Sequence, residues 1–316
     1  MLLRQIQNPA NPWHQHHVDF LGEPPPGRLV IYEEEANSVV TENKSPDIPF
    51  RYSVNPYRGC MHACAYCYAR PSHQYLDFGA GTDFETKIVV KTNVAARLRQ
   101  TLERRSWKGE TICFSGNTDC YQPIEASYGL TRECLAVCSE FLNPVVIITK
   151  GSLVRRDIDV LEPLAKANAL RVWISVGFDN EDDARKIDRG APAIAQRLKS
   201  MALLRDAGIS VGVSVSPIPG SNSAQLPSIL EAAAAHGADA AFMTLLNCRL
   251  RSTTSSNNES SEKAATAGRQ DFERHRRVTR WGQKQRRFEN IAWPRHALAS
   301  DRIPVRGPLR KAWLGR

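Results

Sequence analysis

From about residue 50 to residue 246, short β-rich runs alternate with helical stretches, and no other feature restricts the fold as much. The runs are "FRYSVNPY" (50–57), "TICFSG" (111–116), "VVIITK" (145–150), "LRVWISVGF" (170–178), "ISVGVSVSP" (209–217) and "AAFMTLL" (240–246). Helical patterning fills the intervals at 94–105, 131–142, 157–168, 194–208 and 226–237. Within the fourth of these, Ile194, Leu198, Met201 and Leu204 recur at helical spacing, and Gly208 stands where a helix commonly ends. Strands that alternate with helices predict a parallel sheet with helical crossovers. Six strand candidates favour a partial or complete (β/α) barrel over a doubly wound sheet. No G-x-G-x-x-G opens a helix after a strand, which weighs against a dinucleotide fold.

The ends of the chain lack this grammar. Residues 1–48 are rich in proline and polar residues, as in "EPPPGR" and "TENKSPDIP", and read as a loosely structured N-terminal extension. Residues 49–248 read as the core domain. Residues 249–316 carry 17 Lys and Arg against 6 Asp and Glu, whereas the other 248 residues carry 25 against 27. The overall net charge of +9 therefore belongs to the tail. One reading of the tail is a basic segment that binds phosphate backbones by counterion release, making nucleic acid a candidate partner. The favoured reading is a shifted reading frame, because composition and periodicity break together at Arg249. The N-terminus has no apolar signal-like region and no apolar run reaches membrane-spanning length, so a cytoplasmic protein without a membrane partner is expected.

Eight cysteines in a chain of 316 residues do not suggest the disulfide framework of a small secreted domain. Three of them, Cys60, Cys64 and Cys67, fall within "NPYRGCMHACAYCYAR" with the spacing C-x3-C-x2-C. A closed zinc site needs four ligands, and His62 inside the loop is a candidate fourth. A redox pair of Cys64 and Cys67 would leave Cys60 unexplained. Three thiolates also suit a [4Fe–4S] cluster with three irons ligated by protein and the fourth left open.

C-x3-C-x2-C with Tyr66 just before the last cysteine resembles the signature of the radical S-adenosylmethionine enzymes. The flanks "NPYRGC", "CAYCYAR", "DFETKI", "SGNTDCYQPIE", "LTR" and "ITKGSLVRRDIDVL" resemble the branch related to spore photoproduct lyase. The likeness runs from about residue 20 to residue 245 and stops near Cys248. It implies a partial (β/α)6 barrel, and a [4Fe–4S] cluster on Cys60, Cys64 and Cys67 whose open iron chelates S-adenosylmethionine. It further implies one-electron cleavage of the sulfonium to methionine and a 5′-deoxyadenosyl radical, with a flavodoxin- or ferredoxin-type electron donor. The substrate is unassigned, a DNA lesion being one candidate. The alternative is a non-catalytic iron–sulfur or zinc module with the basic tail as a nucleic-acid anchor.

Polar residues at the C-terminal ends of barrel strands face the reaction site. By the resemblance, Thr118, Lys150 and Ser175 match positions that contact S-adenosylmethionine, with Tyr66 against its adenine. Lysine at 150 suits this role, because an ammonium pairs with a carboxylate as a point charge. Tyr68 matches a tyrosine thought to help return a hydrogen atom in spore photoproduct lyase. The donor cysteine of that enzyme falls near Gly116 here, and Cys113 and Cys120 lie out of register with it. Cys120 is the candidate donor, with a buried thiol as the plainer role. Asp119 and Glu125 are candidates for orienting substrate. Cys134 and Cys138 share a helix face and read as core, and His14, His16 and His17 read as solvated. Anaerobic reconstitution is expected to load iron and acid-labile sulfide rather than zinc. One zinc with neither would support the closed metal site instead.

Overall fold

Six strands follow the β-rich runs: β1 (Tyr52–Val54), β2 (Ile112–Phe114), β3 (Val145–Thr149), β4 (Leu170–Ser175), β5 (Val211–Ile218) and β6 (Ala240–Leu245). They are seen in a computed structural model that describes residues 4–6, 29–44, 50–218 and 222–245. The strands lie side by side in chain order and all run parallel. Strand Val40–Glu42 pairs antiparallel with β1 and forms one edge, and β6 forms the other. Among the described residues the sheet is therefore an open, partial (β/α)6 barrel.

Helices α1 (Val94–Leu102), α2 (Leu130–Glu140), α3 (Ile158–Lys166), α4 (Ile194–Asp206) and α5 (Leu226–Ala235) occupy the intervals between consecutive strands. Each turns a buried face toward the sheet, which in α4 includes Arg197 and Ser200 beside Ile194, Met201 and Leu204. Val94, Leu98 and Leu102 are the buried residues of α1, and Leu161 and Leu164 those of α3. Gly208 ends α4 as expected, with φ +75°, a conformation that costs glycine little. The next amide, of Ile209, closes back on Leu204 O at 3.0 Å.

Alternation along each strand separates two cores. Ile112 and Phe114 face the helices, whereas Cys113 points into the barrel with Val146 and Trp173. Phe50, Ile148, Ala240 and Phe242 complete this inner plug, and Trp173 meets Phe242 edge to face at 5.3 Å. Gly212 sits opposite Trp173 in the register, where a Cβ would lie 2.2 Å from the indole ring. The plug closes the barrel below, so the polar residues at the strand ends, Lys150, Ser175 and Ser214, form the floor of its mouth.

Two features depart from the sequence expectation. Part of the N-terminal extension is ordered: Val30–Glu34 pairs parallel with Lys87–Lys91, and Arg4–Ile6 and Tyr57–Arg58 flank that pair in a second sheet of four strands. Its acidic run hides the strand pattern, because only Ile31 and Glu34 of "VIYEE" are buried. Helix Glu181–Ile187 is also unanticipated, since only Ala184 of this charged segment faces inward. Asn180 caps it, accepting from the Asp183 amide at 2.9 Å. The tail 249–316, Cys248, and His14, His16 and His17 lie outside the described residues. No helix among the described residues is long and apolar enough to cross a membrane.

Gly212→Ala is expected to lower the unfolding free energy by about 1–3 kcal/mol through overpacking against Trp173, measured by denaturant titration. The same change in a Trp173→Ala background should cost less.

Candidate metal and cofactor centre

The cysteine loop leaves the short strand Tyr57–Arg58 through Gly59 and is held mainly by groups outside itself. Gly59 adopts φ +79°, and a Cβ there would lie 2.9 Å from the carbonyl oxygens of Lys87 and Phe84. The Cys60 amide donates to Phe84 O at 2.8 Å, and the Ala65 amide to Ile187 O at 2.9 Å. Gln122 clamps the start of the loop, accepting from the Met61 amide at 2.9 Å and donating to Gly59 O at 3.0 Å. The Gly190 amide donates to His62 O at 2.9 Å, and Arg70 Nη2 to Cys64 O at 3.1 Å. With its backbone groups satisfied this way, the loop leaves its thiols little engaged, Cys64 Sγ lying 3.9 Å from His62 O as a weak donor. All three are free, with Cys60 and Cys64 buried and Cys67 half-buried.

Burial pushes the Cys60 thiol far above the ordinary cysteine value and the Cys64 thiol up to about 12. Cys60 and Cys64 are therefore protonated in the bare loop, and metal binding there must release those protons. His62 is buried with its Nδ1 3.2 Å from Asp119 Oδ2, an arrangement that leaves only Nε2 as a donor. Among the described residues, no three His, Cys, Asp or Glu side chains converge tightly enough for one ion. Thiolates on one tetrahedral zinc lie about 3.8 Å apart. A cluster instead places each thiolate on a different iron and needs a wider triangle. The donor set fits a cluster better than a closed single-ion site.

Asp119 follows β2 and ties the cysteine loop to the end of β3. Its Oδ1 accepts from Thr149 Oγ1 at 2.6 Å and from the Tyr121 amide at 2.9 Å, and its Oδ2 accepts from the Lys150 amide at 2.7 Å. Burial alone would raise its pKa, yet His62 and these donors hold it well below the usual carboxylate range. Both oxygens are thus occupied inside the protein, so the expectation that Asp119 orients substrate is replaced by a scaffold role. Glu125 is corrected the same way. It is fully buried and accepts from the Tyr57 hydroxyl, the Thr131 amide at 2.9 Å and Arg156 Nη2 at 2.6 Å. Thr118 is buried beside the loop; its hydroxyl donates to Tyr57 O at 3.1 Å and its amide to Asn55 Oδ1 at 3.2 Å.

Lys150, Tyr66 and Ser175 come together through two residues that the sequence did not single out, Asp188 and Arg197. The Tyr66 hydroxyl donates to Asp188 Oδ1 at 2.6 Å, and Lys150 Nζ stands 5.4 Å from the Tyr66 ring centroid. Arg197 Nη1 donates to Asp188 Oδ2 at 3.0 Å and to Ser175 O at 3.2 Å. Burial disfavours charge on Lys150, but the acidic groups around it, Asp188 the ionised one among them, outweigh that and raise its pKa above the ordinary lysine value. Arg197 is only 1% exposed although it lies on α4, where an arginine reads as a surface residue. Only its partner explains its burial, and that partner sits in the loop after Ile187, in a stretch with no strand or helix signature. Asn55 and Gln122 were missed for the same reason: they act on backbone groups distant in sequence.

Tyr68 is 74% exposed, and its hydroxyl donates to Gly116 O. Gly116 has φ +96°, and a Cβ there would lie 3.3 Å from the Phe50 ring, so this backbone does not readily accept a cysteine. Cys120 does not face the mouth. It is fully buried in the outer core, where Ser115 Oγ lies 3.7 Å from its sulfur. Cys113 is buried in the inner plug, and Cys134 and Cys138 are buried core residues of α2.

A family model described as the Radical SAM superfamily matches residues 54–233. An uncharacterized protein of Mycobacterium tuberculosis is 40% identical over 221 residues, covering 67% of this chain and 64% of the relative. An uncharacterized protein of Methanocaldococcus jannaschii is 28% identical over 191 residues, covering 60% of this chain and 68% of the relative. The chain thus spans just under two thirds of the mycobacterial protein's length. Among solved structures, a spore photoproduct lyase variant with bound S-adenosylmethionine and dinucleoside spore photoproduct superposes with a TM-score of 0.54 at 16% identity, over 82% of this chain and 72% of that one. Spore photoproduct lyase complexed with dinucleoside spore photoproduct gives 0.52 at 14% identity, over 81% and 85%. At such identities these likenesses concern the fold.

Because its folded-state pKa is depressed, Asp119 stabilises the fold fully above its ordinary value of 3.8, and that contribution fades as pH falls toward the folded-state value. Asp119→Asn should therefore cost about 3 kcal/mol at neutral pH. The difference from wild type should shrink in strong acid, as followed by denaturant unfolding across pH.

Proposed function

The chain belongs to the Radical SAM superfamily, and from that premise we propose that it is an enzyme that carries a [4Fe–4S] cluster on Cys60, Cys64 and Cys67 and binds S-adenosylmethionine beside it. When bound, these two groups supply one-electron cleavage of the sulfonium to methionine and a 5′-deoxyadenosyl radical. The observation that carries the proposal is the pairing of two arrangements: three thiols outside any disulfide on one externally held loop, and a lysine at the adjoining strand end that stands over the loop's own Tyr66. Residues 49–248 are taken as the core domain, in keeping with barrel strands that run from Tyr52 to Leu245.

In this reading each side chain acts where the fold has put it. Lys150 offers an ammonium for the methionine carboxylate, and Tyr66 offers its ring to the adenine. Ser175, at the end of β4, adds a hydroxyl to the same floor. Thr118 lies at the same end, with its own hydroxyl spent on the Tyr57 carbonyl. The Trp173 plug blocks the barrel from below, so reactants enter from the loop side. A one-electron donor of the flavodoxin or ferredoxin type is the expected partner.

For the substrate, a nucleic-acid lesion is the proposed class, supported by the lyase structures that hold a dinucleoside photoproduct. Hydrogen return would differ from that enzyme. Gly116 has no thiol, and the hydroxyl of Tyr68 rests on the Gly116 carbonyl. Tyr68 is therefore the candidate catalytic residue.

Reconstituted chain with dithionite and S-adenosylmethionine is expected to form 5′-deoxyadenosine, and Lys150→Ala should reduce the rate by roughly tenfold or more through lost charge-assisted binding. Product no higher than in a Cys60→Ala control would count against the proposal.

A further inference from the structure

Asp188 is the point at which the parts of the cofactor floor are joined. One of its carboxylate oxygens accepts from the Tyr66 hydroxyl at 2.6 Å and the other from Arg197 Nη1 at 3.0 Å. The same guanidinium donates from Nη1 to Ser175 O at 3.2 Å and from Nε to Pro192 O at 2.7 Å. The backbone of Asp188 bridges Cys64 in a short antiparallel contact, and the preceding carbonyl, Ile187 O, holds the Ala65 amide at 2.9 Å. One carboxylate thus links the tyrosine of the cysteine loop to the end of β4, while Lys150 stands over the tethered ring.

The pair is buried, and its geometry uses the carboxylate completely. Arg197 is the largest fully buried side chain of the protein's described residues, and Asp188 is itself buried. Two charges taken out of water are held only where each has its partners in place. A merely structural anchor for the loop would need only the backbone bridge between Cys64 and Asp188. The carboxylate does something else. It anchors the outer end of the Tyr66 ring, and through Arg197 it fixes the strand end that carries Ser175.

Resting on the function proposed above, we infer that Asp188 is a positioning residue for S-adenosylmethionine, orienting Tyr66 and the end of β4 without itself touching the cofactor. Asparagine at 188 keeps the size and the backbone bridge but offers one acceptor oxygen and one donor amide. It can meet both partners only by accepting from Arg197 and donating to the Tyr66 hydroxyl, so the negative charge that both donors now share is lost. Tyr66→Phe removes the hydroxyl and keeps the ring.

The test measures S-adenosylmethionine affinity by equilibrium dialysis on the reconstituted full chain, together with iron, labile sulfide and the electron paramagnetic resonance spectrum of the reduced cluster before and after the cofactor is added. Asp188→Asn and Tyr66→Phe should each weaken binding about tenfold. The double variant should be little weaker than either alone, because both break one tether. Cluster content should match wild type, and the spectral change on adding cofactor should be altered alike in all three variants. Wild-type affinity in Asp188→Asn, additive losses in the double variant, or loss of the cluster from Asp188→Asn would each overturn the inference while leaving the proposed function intact. A wild-type chain that assembles the cluster but binds no S-adenosylmethionine would overturn both.

Discussion

Gly59 stands between the short strand Tyr57–Arg58 and the first cysteine, pressed against two carbonyl oxygens at a distance no side chain tolerates. That close approach lets the Cys60 amide reach Phe84 O and aligns the loop for the clamps that follow. Gln122, Asp119, Ile187, Gly190 and Arg70 then take up the groups the loop cannot satisfy alone. They come from the segments after the cysteine loop and after β2 and β4, so the loop is a product of the assembled barrel. A short irregular segment with buried thiols has little to hold it together until those elements are in place.

The division of the barrel interior follows from the same assembly. Trp173, Phe242 and their neighbours fill the lower part, and Gly212 is small so that the indole fits. Immediately above, the strand ends switch to Lys150, Ser175 and Ser214 while the sheet stays in register. Two residues of advance along a strand, the next position on the same face, change the environment from dry packing to a polar floor. Charge is admitted there only in company: Lys150 with the Asp188–Arg197 pair close by, and Asp119 with His62 and three hydrogen-bond donors.

The barrel was legible in the sequence because its signal is local. Apolar runs and helical periods mark β1 to β6 and α1 to α5, and the observed ends differ from the expected ones by a few residues. The cysteine loop was legible because three thiols at that spacing need no neighbours to be recognised. The supports were hidden because each acts across the fold. Arg197 has the look of a surface residue on α4, Glu125 that of an exposed acid at a helix start, and Asn55 that of a turn residue. Their burial depends on partners that sequence distance does not reveal. The strand Val30–Glu34 was masked for a different reason: its partner Lys87–Lys91 lies beyond the cysteine loop, and its apolar start runs straight into an acidic end.

In the proposed function the loop stops at three cysteines so that S-adenosylmethionine can take the fourth iron. Electron–nuclear double resonance on the reduced, reconstituted chain with amino-nitrogen-labelled S-adenosylmethionine reads that bond directly. A nitrogen coupling strong enough to mark direct coordination, present in the full chain with cofactor and lost when unlabelled cofactor replaces it, is the result expected. A reduced cluster whose spectrum shows no coupling to the label at saturating cofactor would contradict it.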